Sequence, residues 1–263
     1  MLGHVARRYA TGVSDSSYPV MDLVTSQPSA NVFDLAFPIT TTAEGKDPQR
    51  AIQAGVYTGK IVIVNSESDD PKRLVDRNVA ATPPTQYRFY AVAGTPHVSD
   101  HLGGPSFYSR TTPASYDFAL RAHFLQADRW VRNGTEPPPS YQLKTQGSTI
   151  QRDANGNAIT VDCTSGQRVP RLPFIELGEA RFVTGFVGSN DNVKTLADLG
   201  FPSHAAYLNA FKSKVDDYLS ADYILPEEAT AMRSRAALCP PMTYTQTYRD
   251  QYDKFVAIQS CTG

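Results

Sequence analysis

No stretch of the 263 residues approaches the roughly 20 consecutive apolar residues that a membrane-spanning helix needs. The opening text MLGHVARRYATG carries two arginines but no apolar run behind them, so it does not read as an export signal. Long runs of like charge are missing too. Lys and Arg number 25 against 26 Asp and Glu, a balance that offers no basic face to nucleic acid or to an anionic membrane, and neither is expected as a partner. Cysteine is scarce: Cys163, Cys239 and Cys261 lie far apart with no C-x-x-C, which removes the common zinc and redox motifs and leaves Cys239 with Cys261 as one pairing to consider. Asp153, Asn155 and Asn157 are spaced like the start of a calcium loop. The glycine falls at 156, however, and Thr164 stands where the bidentate glutamate belongs. No metal and no cofactor is expected on these grounds, and no feature assigns a compartment. The Asn133-Gly134-Thr135 sequon reads as a helix C-cap and turn.

What is present has the length for one large domain, or one domain with an appendage. The text predicts a short helix around residues 3–10 and a short strand in YPVMDLV. NVFDLAF (31–37) reads as a strand stopped by Pro38, followed by a loop or short helix over 39–55. KIVIVN (60–65) is an uninterrupted β-branched run, the pattern of a strand buried on both faces of a mainly parallel sheet. DDPKRLVDRNVA predicts a short helix with proline near its first turn, and YRFYAVAG (87–94) a further strand that Gly94 breaks. Strand, helix, strand makes a βαβ unit.

Tyr116, Leu120, Phe124, Ala127 and Val131 fall at helical spacing ahead of an Asn133-Gly134 stop, predicting an amphipathic helix packed on that sheet. EPPPS then acts as a stiff spacer, dividing the chain into a core over 1–135 and an appendage over 136–263. In the appendage, alternation about Asn155-Gly156 predicts a β-hairpin. The stripe Tyr207, Phe211, Val215, Tyr218 and the stretch LPEEATAMRSRAAL predict a C-terminal helical hairpin. The expected class is therefore α/β: a partial, mainly parallel sheet with flanking helices, plus these two hairpins.

His97 is the histidine with an acid partner at a matching place. It follows one strand's C-terminal end in AGTPH, while the preceding strand ends in the acidic turn VNSESDDPKR. Consecutive parallel strands bring both turns to one sheet edge, where ligands and catalytic groups collect. There a carboxylate holding an imidazole N–H fixes its tautomer and leaves the other nitrogen to take a proton from a nucleophile. Glu67, Asp69 and Asp70 compete for the acid's place, and Asp70 suits the cap of the helix beginning near Pro71 best.

Together, VNSESDD, FYAVAGTPHVS, LRAHFLQADRWVRNGTEPPPS, DANGN and FPSHAAYLNAFKSKVDDYLSADYILPEEA resemble the C-terminal portion of the "alpha/beta hydrolase domain" family, over roughly residues 31–240. The resemblance implies carboxylic-ester hydrolysis with a triad in the chain order Ser, acid, His. It makes His97 the base and Asp69 the preferred acid, with Glu67 next. The family's elbow, G-x-S-x-G or a G-x-S-Q-S-like variant, is expected before NVFDLAF. Ser26 and Gln27 are the nearest text to it, but Pro28 follows and no glycine stands two residues before Ser26. The reading is an ester-hydrolase-like chain with acid and base but no clear nucleophile, truncated at the front. The alternative is a non-catalytic remnant that binds. A small ester is the expected substrate, and an exposed sheet edge at NVFDLAF predicts self-association.

Overall fold

The computed structural model describes residues 6–26, 32–41, 46–69, 85–98, 112 and 114–238. The helix expected after Asp69 and the Cys239–Cys261 pairing lie outside the described residues.

Five strands run parallel in chain order: β1 (Tyr9–Val13), β2 (Leu35–Ile39), β3 (Lys60–Ser66), β4 (Tyr87–Val92) and β5 (Tyr141–Leu143). The chain then forms a small ribbon of β6 (Thr145–Gln146) with β7 (Thr149–Ile150), and β8 (Thr160–Asp162) returns antiparallel to β5 as the sheet's last strand. The sheet thus continues past the EPPPS segment. Arg88 and Tyr90 of β4 tie that segment down by donating to the Pro138 carbonyl at 3.0 and 2.7 Å.

Both faces are covered, as the continuous apolar run of β3 requires. Ile61 and Ile63 pack with Val20, Met21 and Val24 of α1 (Ser17–Ser26) and Ile52 of α2 (Pro48–Gln53). Val62 and Val64 join the opposite core with Ala119, Ala127 and Trp130 of α3 (Asp117–Asn133). That core also takes Phe174 and Ile175 from α4 (Pro173–Glu176), the stripe Tyr207, Phe211, Val215, Tyr218 from α5 (His204–Ser220), and Met232 from α6 (Pro226–Leu238). Among the described residues no helix is long and apolar enough to cross a membrane.

Several local expectations need correction. The first described element is a strand: Tyr9–Val13 alternates aromatic, small and β-branched residues and pairs residue for residue with Leu35–Ile39. YPVMDLV lies in α1, because Val20, Met21 and Val24 share a helical face that buries them. Pro38 does not stop β2. The β2–β3 ladder pairs Leu35, Ala36 and Ile39 and passes over Phe37 and Pro38, so the missing proline N–H is accommodated there. β2 therefore has neighbours on both sides, and among the described residues the edge strands of this sheet are β1 and β8. On α3 the buried face is Ala119, Ala122, His123, Gln126, Ala127 and Trp130, and Phe124 is 37% exposed. The polar His123 and Gln126 reach inward because they bond to each other and to Tyr141 and the Asp222 carbonyl.

The Asn155-Gly156 turn forms, with Gly156 at φ +80° and its N–H donated to Asp153 O. Only the Arg152–Ala158 bridge joins its arms, since β7 pairs with β6 and β8 with β5. A second hairpin, β9 (Arg181–Val183) with β10 (Ser189–Asp191), has strands too short for an alternation signal.

Candidate active site

The C-terminal ends of β1, β3 and β4 open on one edge of the sheet, and each delivers a polar side chain there. β4 ends at Val92, and Gly94 turns the chain at φ +75° toward Pro96 and His97. A Cβ at Gly94 would sit 2.4 Å from the Ile175 side chain, so this turn needs glycine for space as well as for angle. β3 ends at Ser66, and its turn buries Glu67 and Asp69.

Asp69 and His97 meet. Asp69 Oδ2 accepts the Ser66 N–H at 2.8 Å and the Ser66 hydroxyl at 3.0 Å, while Oδ1 lies 2.5 Å from His97 Nδ1. An ionised carboxylate only accepts, so Nδ1 carries the proton and Nε2 offers a lone pair. The bond to Asp69 raises the imidazole pKa, against partial burial, and the negative charges of Asp69 and Asp15 add to the rise. His123 shows the contrast: buried and stacked 3.6 Å from the Tyr90 ring, it is pushed down to about 3 and stays neutral inside α3.

Glu67 is engaged elsewhere. Its Oε2 accepts the Gly94 N–H at 2.6 Å and its Oε1 the Arg152 guanidinium at 2.7 Å, so it braces the turn that leads to His97 and ties it to the Asn155-Gly156 hairpin. Ser26 ends α1 with its hydroxyl donated to the Asp22 carbonyl at 2.8 Å, a local helix bond. Asp70 lies outside the described residues.

The residue facing His97 is one the sequence reading passed over. Ser14 Oγ lies 2.8 Å from Nε2. It follows β1 directly and opens a 3-10 turn, Ser14–Ser16, that runs into α1, with its own backbone at φ +54°. A strand, a strained serine in the left-handed region and a helix are the parts of a nucleophile elbow. The signal that could have found it is Gly12-Val13-Ser14-Asp15-Ser16, a G-x-S-x-S form of the pattern standing before NVFDLAF. Each small residue there has a task. A Cβ on Gly12 would fall 2.0 Å from the Ser16 carbonyl oxygen. Ser16 Oγ accepts the Val13 N–H and donates to the Val13 carbonyl, both at 2.7 Å. The buried Ser17 donates to the Ser14 carbonyl at 2.6 Å. The Asp15 amide, next after the serine, lies at the N-terminal start of the helical segment, where developing negative charge is favoured.

The loop between β9 and β10 closes over His97. His97 and Val98 donate their N–H groups to the carbonyls of Gly185 and Phe186, each at 2.9 Å. The Phe186 ring stacks on the imidazole with centroids 5.4 Å apart and planes 24° apart. Among the described residues no group of three His, Cys, Asp or Glu side chains is arranged to hold a metal ion.

None of the curated proteins or solved structures compared with the chain matches it. The family model described as "Alpha/beta hydrolase domain" matches residues 1–234, and with its mostly parallel sheet and flanking helices this chain belongs to that alpha/beta-hydrolase family.

Proposed function

We propose that this chain hydrolyses carboxylic esters, with Ser14 as nucleophile, His97 as general base and then general acid, and Asp69 as the carboxylate that orients the imidazole. The observation that carries the reading is the unbroken chain Asp69 Oδ1, His97 Nδ1, His97 Nε2, Ser14 Oγ, at 2.5 and 2.8 Å, on three turns of one sheet edge.

The chemistry follows from those contacts. Ser14 gives its proton to His97 Nε2 as its Oγ bonds to the ester carbonyl carbon, and Asp69 stabilises the imidazolium that results. The carbonyl oxygen becomes an oxyanion, and the Asp15 N–H is this chain's donor for it. When the alkoxy C–O bond breaks, Nε2–H protonates the leaving alcohol. Water then attacks the acyl-serine with His97 again as base, releasing the acid and restoring the serine hydroxyl.

Ser14→Ala removes the nucleophile while leaving its bracing bonds from Ser16 and Ser17 in place. Loss of the nucleophile in a serine hydrolase costs on the order of a millionfold in turnover. We expect kcat for a simple ester to fall to background in Ser14→Ala with an unchanged thermal melt. Hydrolysis by Ser14→Ala at the parent's rate would end this reading, and no hydrolysis by the folded parent would leave the fold as a binding module.

A further inference from the structure

We infer that the tip of the β9–β10 hairpin, through Phe186, binds the alcohol portion of the substrate and selects esters of apolar, aryl-bearing alcohols. This rests on the serine-hydrolase reading of Ser14 and His97 given above, and assigns a part of the substrate to a surface next to them.

Four observations lead to it. Phe186 is 61% exposed although its ring lies against the imidazole, so a large apolar surface stands open beside the reacting atoms. Val187, at the same tip, is 45% exposed. The platform is firm. Phe182 at the hairpin's base is buried, with its N–H donated to Asn157 Oδ1 at 2.9 Å, while Asn157 Nδ2 donates to the Ala180 carbonyl at 2.9 Å. A Cβ on Gly188 would come within 2.8 Å of Thr112 and 3.1 Å of Pro96, so the tip is pressed directly onto the turn that carries His97.

The chemistry assigns the portion of substrate. His97 Nε2 first takes the Ser14 proton and then hands it to the oxygen of the departing alcohol, so the alcohol is the part of the ester nearest the imidazole as the C–O bond breaks. The ring stacked on that imidazole flanks the group attached to the alcohol oxygen. An alkyl-aryl group there covers the exposed face of Phe186, removing apolar surface from water and adding an aromatic contact.

The test compares three esters in the full chain by titrating released acid: ethyl acetate, 2-phenylethyl acetate, and ethyl 3-phenylpropanoate, which moves the phenyl group to the acyl side. The two alcohols are of nearly equal acidity, so differences report binding. The parent should favour 2-phenylethyl acetate over ethyl acetate by about tenfold in kcat/KM, the size of one good apolar contact. Phe186→Ala should lose that preference, its kcat/KM on 2-phenylethyl acetate falling to that on ethyl acetate, and Phe186→Leu should keep part of it. The inference is overturned if Phe186→Ala keeps the preference, or if the loss appears on the phenylpropanoate instead. It is also overturned if all three rates fall together, which would make Phe186 a support for His97 only. Failure of the underlying reading is told apart by Ser14→Ala: hydrolysis at the parent's rate in that variant, or none by the folded parent on any ester, ends both.

Discussion

Ser14 is held at φ +54°, a conformation that costs a non-glycine residue on the order of 1–3 kcal/mol and persists where the surroundings over-determine it. Here the surroundings are Ser16 and Ser17, whose hydroxyls bind the backbone on either side. The pKa of His97 is raised above the ordinary 6.5 by the bond to Asp69, and only the neutral ring accepts the serine proton. Activity should therefore rise with pH through an inflection above 6.5. An NMR titration of His97 in Ser14→Ala should place the midpoint there, and adding Asp69→Asn should lower it; a midpoint unmoved by that change would remove Asp69 from its role. The stability this pair contributes is present below the unfolded value and lost as pH rises through the folded one. His97 and Asp69 were legible because each follows a strong strand signal. Ser14 was passed over, because its pattern ends in serine rather than glycine at 16 and lies in weakly patterned text between the helix expected at 3–10 and YPVMDLV, while Ser26-Gln27 drew attention to a serine whose hydroxyl closes a helix bond.

Long, strongly patterned elements were the readable ones. β3 announced burial on both faces, and α5 carried its buried stripe at the spacing the sequence shows. The short β1, β5 and the β9–β10 hairpin were not readable, since strands of three to five residues with weak apolar patterning are defined by the pairing they find rather than by local preference. α3 was found but its buried face was rotated, because hydrogen-bonded His123 and Gln126 go inside where polarity alone would put them outside. Gly12→Ala puts a methyl 2.0 Å from the Ser16 carbonyl oxygen, which forces β1 and α1 apart at the turn. Overpacking of this kind costs about 1–3 kcal/mol. A lowered melting temperature and a turnover reduced further than the melt alone explains are expected; a variant that melts and turns over like the parent would show that the elbow has slack.

The described residues form one six-stranded sheet with two short ribbons, and the groups proposed to carry the chemistry meet on a single edge of that sheet: Ser14 after β1, Asp69 after β3, His97 after β4, and Phe186 reaching that edge from a hairpin far along the chain. The α/β class was legible from βαβ order and from the apolar run of β3. The arrival of residues 184–188 over His97 was not, because two backbone bonds and one stacked ring leave no local mark in a sequence. The most direct test of the whole account is to expose the folded chain to a fluorophosphonate and locate the adduct by intact mass and peptide mapping. A single adduct on Ser14, lost in His97→Ala, is expected. An adduct on another serine, or none on a chain that melts cooperatively, would contradict it.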